Sequence, residues 1–149
     1  MTNINAEFRW NDLFLLGYAP MDQTHREFVD VVQGMLTAKD DEMPDRLAAF
    51  IRHAEEHFDQ EHAWMAETAF PARQCHADEH DAVLASAYEV QDLIASGREA
   101  ALARELAKAL VNWFPGHADY MDASLAQWMS KKRLGGTPVV LKRGVVQAE

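Results

Sequence analysis

Residues 44–65, PDRLAAFIRHAEEHFDQEHAWM, place an apolar stripe and two polar groups on one face of a predicted helix. The apolar residues recur at steps of three and four, as on one side of an α-helix. They are Leu47, Phe50, Ile51, Ala54, Phe58, Trp64 and Met65. Pro44 suits the first turn, where proline loses no hydrogen bond. His57 and Glu61 stand four residues apart on this stripe, so both should point into the core.

Three further stretches show helical periodicity. The first helix should open at Pro20, with Asp22 as a candidate N-cap. The third should run from about Arg73 to Ala95, and the fourth carries apolar residues between 102 and 128. Short connections make neighbouring helices antiparallel, so we predict an all-α, up-down-up-down four-helix bundle.

The length of 149 residues suits a single domain. We expect an N-terminal arm at 1–18, the bundle at 19–131 and a C-terminal tail at 132–149. The tail breaks helix at Gly135 and Gly136 and then turns apolar and basic. A flexible tail is favoured over a segment that docks an unidentified protein partner.

Composition excludes several classes of partner. The net charge of −10 repels nucleic acid and anionic lipid, and no apolar run approaches the roughly 20 residues of a membrane span. The N-terminus has no export signal, and the single cysteine, Cys75, fits a reducing compartment, so we expect a cytoplasmic protein. Cys75 lies about 100° round the helix from His76, which favours a packed thiol over a ligand.

Each of the other three helices also turns histidine toward the core. His76 and His80 repeat the spacing of four on the third helix. His25 lies one turn before the apolar stripe of the first helix, and His117 follows Trp113 by one turn on the fourth. Burying such polar groups without partners would destabilise the fold by roughly several kcal/mol. No Lys or Arg on these helix faces can neutralise the Glu61 carboxylate. One inward histidine alone would be a hydrogen-bonded core residue, but histidines on four facing helices predict a metal.

The types of ligand narrow the choice of metal. Imidazole with carboxylate suits iron, zinc, copper or nickel, whereas magnesium and calcium prefer oxygen alone. The absence of thiolate ligands argues against structural zinc. Because the candidate ligands outnumber the four that one tetrahedral ion takes, two metals sharing carboxylates are expected.

From Phe8 to Trp128 the chain resembles the bacterial hemerythrins. The matching motifs occur in the family's order; they are His25, His57-Phe58-Asp59-Gln60-Glu61, His76-Ala77-Asp78-Glu79-His80, and Trp113 with His117 and Asp122. The resemblance implies two iron ions. It also implies that His76, His80 and His117 bind one ion and that His25 and His57 bind the other. Glu61 and Asp122 would then bridge the pair.

Asp122 is implied by the resemblance alone. A step of five residues from His117 would turn it about 140° around an ideal α-helix. Pro115 and Gly116 should loosen the helix just before His117, because proline lacks a backbone donor and glycine is a poor helix former.

The resemblance implies reversible dioxygen binding, because one coordination position stays open on the iron that has two histidines. We therefore expect an oxygen-binding protein that carries, stores or senses O2, and not an enzyme with an organic substrate. A redox enzyme that reduces peroxide or nitric oxide at the same ions is the main alternative. Iron storage is a further one.

Four more residues lie near the predicted site. Phe114 and Ala118 should line the oxygen pocket, and Ala118 departs from the bulky aliphatic residue usual in the family, which would leave the pocket less covered. His53, one turn before His57, is interpreted as a part-exposed histidine in preference to a group that supports the ligands. His62 is interpreted as merely flanking Glu61.

Overall fold

A computed structural model describes residues 8–136 and residue 140, and in this range the chain is an all-α four-helix bundle without strands. The helices are α1 (Ala19–Thr37), α2 (Met43–Glu67), α3 (Arg73–Ala95), α4 (Ala101–His117) and α5 (Ala123–Met129). α4 and α5 together form the fourth helix of the bundle. Both α1 and α3 pack against α2 and α4, which closes the bundle as predicted.

The fourth helix is not a regular α-helix. Pro115 lies inside α4 and cannot donate a backbone hydrogen bond to residue 111. Three residues later a π-helical turn, Ala118–Asp122, separates α4 from α5. A second π-helical turn, Ser130–Leu134, follows α5, and Gly135 ends the helix with a left-handed φ of 78°.

The predicted N-cap role of Asp22 is wrong. α1 begins at Ala19, so Asp22 lies within its first turn and is buried. Its carboxylate reaches back and accepts the backbone N–H groups of Leu16, at 2.8 Å, and Gly17, at 3.0 Å. Gly17 has a φ of 88°, a conformation that glycine adopts without strain. Asp22 therefore fixes the arm against the bundle instead of capping the helix.

Phe8, Phe14 and Trp10 of the arm lie over the bundle. Phe8 and Phe14 contact the ring of Phe114 edge to face, at centroid distances of 6.1 and 5.2 Å. The Phe8 backbone N–H also donates to the side chain of Gln33 at 2.7 Å. The described part of the arm is thus integral to the core.

Two apolar clusters fill the bundle, one on each side of a buried polar layer. The large cluster contains the rings of Phe28, Phe50, Phe58 and Phe114 together with the side chains around them. The small cluster contains nine buried residues: Leu16, Tyr18, Met21, Trp64, Met65, Phe70, Leu125, Ala126 and Met129. On α2, Glu61 stands between Phe58 of the large cluster and Trp64 of the small one.

None of the described helices is both long and apolar enough to cross a membrane. The helix reaches Leu134, beyond the predicted start of the tail at 132. Residues 137–139 and 141–149 of that tail lie outside the described residues, and the proposed docking role of the tail stays a prediction.

Candidate metal centre

The polar layer between the two clusters consists of the predicted ligands. All seven lie together, and none is more than 5 % exposed; they are His25, His57, Glu61, His76, His80, His117 and Asp122. Their ligand atoms form two groups, one with three histidines and one with two. Glu61 belongs to both groups.

The three-histidine group surrounds one oxygen of each carboxylate. His76 Nε2 lies 3.2 Å from Glu61 Oε1 and 2.9 Å from Asp122 Oδ1. His80 Nε2 lies 3.5 Å from the same Glu61 oxygen, and His117 Nε2 lies 3.2 Å from the same Asp122 oxygen. Three imidazole nitrogens and two carboxylate oxygens thus face a common point.

The two-histidine group faces the other oxygen of each carboxylate. His25 Nε2 lies 3.0 Å from Asp122 Oδ2 and 3.7 Å from Glu61 Oε2. His57 Nε2 lies 2.8 Å from Glu61 Oε2. Each carboxylate therefore presents one oxygen to each group, which is the arrangement that two ions bridged by carboxylates require.

The π-helical turn explains why periodicity could not select Asp122. Hydrogen bonds in a π-helix join residues five apart, so one turn takes more residues than in an α-helix. Asp122, five residues after His117, consequently lies on the same side of the helix and beside it. Pro115 and Gly116 predicted an irregular helix at this point, but they could not predict that the irregularity would be a π-helical turn.

Several buried atoms of the cluster fit a cation better than they fit one another. Nε2 of His25 and of His76 and both oxygens of Asp122 make no hydrogen bond within the described residues, although they lie at contact distance. The ion pairs described for Glu61 and Asp122 all involve histidine. Buried polar groups are rarely unsatisfied, whereas lone pairs directed at a common point are what metal ligands provide.

The electrostatics of the cluster favour positive charge. Burial lowers the pKa of His25, but Asp122 and Glu61 outweigh that effect and raise it to about 10. The same balance of burial against the two carboxylates raises the pKa of His76 to about 9. Burial raises the pKa of Asp122, but His117 and His25 hold it well below its usual range. Two carboxylates in this layer therefore stay ionised and require compensating cations or protons.

His62 does more than flank Glu61. Its Nε2 lies 3.0 Å from His80 Nδ1, at hydrogen-bond distance, and the two rings are stacked with centroids 5.1 Å apart. The sequence interpretation missed this contact because it depends on how α3 packs against α2, and His62 itself is half-buried. Phe58 covers the other face of His80 at 3.8 Å. Burial lowers the pKa of His80 to about 2, so its ring is neutral, as a ligand must be.

His53 has an intermediate exposure, as interpreted. Its side chain is 12 % exposed, and its Nδ1 lies 3.9 Å from Glu27. Burial lowers the pKa of His53 to about 4. Its ring contacts that of His57 at 5.4 Å without a hydrogen bond between them.

Phe114 and Ala118 both belong to the large cluster, and Phe114 also contacts the two-histidine group. The Phe114 ring meets His25 edge to face at 5.2 Å and stacks on Phe28 at 5.0 Å. Ala118 is 1 % exposed and opens the π-helical turn. Cys75 is exposed, so the prediction of a packed thiol is wrong. In the first turn of α3, His76 is buried in the polar layer, whereas the preceding residue, Cys75, is exposed at the surface.

The chain is similar to known proteins over most of its length. Residues 16–129 match a family model described as the hemerythrin HHE cation binding domain. A curated relative, the bacteriohemerythrin of Ralstonia nicotianae, is 37 % identical over 124 residues. The alignment covers 83 % of this chain and 90 % of the relative.

Proposed function

Because this chain belongs to the hemerythrin family, we propose that it binds dioxygen reversibly at a centre of two non-haem iron ions. The observation that carries the proposal is the division of the carboxylate oxygens between two groups of histidines. A single ion would not need both oxygens of both carboxylates. The mixture of imidazole and carboxylate, without thiolate, supports iron as the metal.

In this proposal each group holds one ion. His76, His80 and His117 bind the first ion, and His25 and His57 bind the second. Glu61 and Asp122 bridge the two. The two-histidine group offers one imidazole fewer, so an external ligand would bind on that side of the centre.

The surroundings of that group suit a small apolar ligand. When bound, two ferrous ions supply the electrons that dioxygen accepts and returns on release. Phe114 lies against His25 and is itself 1 % exposed, so it excludes water from this side. Phe8 and Phe14 of the arm cover Phe114 in turn. Neutral imidazoles outnumber the carboxylates, and this ligand set favours binding over the oxygen activation of carboxylate-rich di-iron proteins.

Reduction of peroxide or nitric oxide, and storage of iron, would use the same seven residues. No feature of residues 8–136 favours these activities over oxygen binding.

The test uses the full chain loaded with iron. We expect about two iron ions per chain, and a visible spectrum that changes when the reduced protein meets air and returns when oxygen is removed. His57→Ala should abolish the reversible change, whereas Asp59→Ala, which removes an exposed carboxylate two residues away, should retain it. Continuous consumption of oxygen or peroxide by the wild-type protein, without return of the reduced spectrum, would overturn the proposal.

A further inference from the structure

Glu79 connects α3 to the outer face of His117. Its Oε1 accepts a hydrogen bond from His117 Nδ1 at 2.7 Å and another from Trp113 Nε1 at 3.1 Å. The Trp113 ring also lies over the His117 ring, with centroids 4.3 Å apart and planes at 22°. Three side chains from two helices thus form one interlocked unit at the edge of the polar layer.

The chemistry of the acceptor decides which nitrogen of His117 carries the proton. An ionised carboxylate has no proton to donate, so His117 Nδ1 must be the donor. The lone pair of Nε2 is then directed inward, where that atom lies 3.2 Å from Asp122 Oδ1. Trp113 contributes by holding the carboxylate in place, because its indole N–H can only donate.

Among residues 8–136, no carboxylate hydrogen-bonds to the outer nitrogen of the other four histidines of the cluster. Within the described residues, Nδ1 of His25, of His57 and of His76 has no hydrogen-bond partner. His80 Nδ1 meets the imidazole of His62 instead. Carboxylate support therefore acts on one histidine of the three-histidine group and on neither histidine of the two-histidine group.

We propose that Glu79 is a positioning residue for the metal centre. Glu79 fixes the orientation of the His117 ring and keeps its proton on Nδ1. Nε2 of His117 thereby becomes a stronger electron-pair donor to the cation in the three-histidine group. A carboxylate behind a ligating histidine raises the basicity of that ligand. The ion next to His117 is thus held more tightly and stabilised in its more positive oxidation state. The effect on oxidation state rests on the proposed function, which supplies iron as the metal, whereas the effect on affinity requires only a divalent cation.

The position of Glu79 argues against a purely structural role. Its side chain is 34 % exposed and stands at the end of an apolar groove of about 410 Å³ between α3 and α4. Because Glu79 is itself partly exposed to solvent, its hydrogen bonds should contribute less to the stability of the fold than fully buried ones. Its effect should instead appear in the properties of His117, the group that it contacts.

The first experiment titrates Co²⁺ into the metal-free full chain in competition with a chelator. Glu79→Ala should weaken binding by about 10–100-fold at the three-histidine group, and Glu79→Gln, which keeps an acceptor oxygen, should weaken it less. Asp78→Ala is the matched control, because Asp78 is exposed and accepts a hydrogen bond from Gln74 on its own helix. Affinity of Glu79→Ala within twofold of wild type would overturn the inference.

The second experiment separates charge from structure. In the iron-loaded protein, Glu79→Gln should raise the reduction potential of the centre, because it removes the negative charge but keeps a hydrogen-bond acceptor. If Glu79 only held the helices together, Glu79→Gln would keep the wild-type potential, and that result would overturn the inference. Because the Co²⁺ titration involves neither iron nor oxygen, a wild-type protein that binds Co²⁺ tightly but shows no reversible oxygen spectrum would overturn the proposed function alone.

Discussion

The carboxylates of Glu61 and Asp122 both lie between the two groups of histidines, and each contacts both groups. Oε1 of Glu61 and Oδ1 of Asp122 face His76, whereas Oε2 and Oδ2 face His25. The two residues come from α2 and from the π-helical turn, so different helices meet through these four oxygens. In the proposed centre, each ion would use one oxygen of each carboxylate.

Replacing a carboxylate should therefore affect both ions, and replacing a histidine mainly one. We expect Asp122→Ala to lose most of the bound iron, from about two ions per chain to well below one, after dialysis against a chelator. His25→Ala should keep about one ion. Asp119→Ala, an exposed carboxylate in the same turn, should keep both. Metal analysis is the measurement, and one tightly held ion in Asp122→Ala would show that the bridging assignment is wrong.

Loading the metal should release protons. Burial lowers the pKa of His25 and His76, but the two carboxylates raise these pKa values to about 10 and about 9, so both rings are protonated at pH 7 in metal-free protein. Metal binding requires neutral imidazole. Affinity should therefore increase as pH rises from 6 to 8, and each chain loaded at pH 7 should release these two protons into a weakly buffered solution. Metal uptake at pH 7 without any change in an indicator dye would contradict this expectation.

Asp22 should matter for stability and not for metal content. Asp22→Ala leaves the N–H groups of Leu16 and Gly17 without their acceptor, and we expect the free energy of unfolding to fall by about 1–3 kcal/mol. Asp22→Asn retains one acceptor oxygen and should lose less. Asp30→Ala, exposed on the same helix, is the control. Chemical denaturation of the iron-loaded protein gives the values, and equal unfolding midpoints for Asp22→Ala and wild type would refute the role.

Ala118 should influence the lifetime of the oxygenated protein. The resemblance implies a bulky aliphatic residue at this position, and the smaller side chain of alanine would give less cover against water and anions beside a bound metal. Ala118→Ile should slow autoxidation in air-saturated buffer, although a buried position exposed by only 1 % can also lose about 1–3 kcal/mol of stability through overpacking. Ala101→Ile, at the exposed start of α4, is the control. Unchanged or faster decay at equal iron content would identify Phe114 as the main barrier.

Helical periodicity was sufficient for the parts of the fold that follow regular α-helical geometry. The stripe from Leu47 to Met65 placed His57 and Glu61 in the core, and both are buried there. α-Helical periodicity could not select Asp122, because the π-helical turn changes the number of residues per turn. Asp22 and His62 were misinterpreted for a related reason: their partners, Leu16 and His80, are fixed by how segments pack, which spacing within one helix does not encode.

The layered order of the bundle links the metal to the cooperativity of unfolding. Among the described residues, the large and small clusters lie on opposite sides of the polar layer, to which each helix of the bundle contributes at least one candidate ligand. With ions bound, all four helices are cross-linked at this level, so both clusters should unfold in one step. In metal-free protein the small cluster should open as a unit of its own, with the amide hydrogens of α5 exchanging before those near Phe28 and Phe50. The same amino-acid chain would then unfold in one transition or in two, depending on whether its centre is filled.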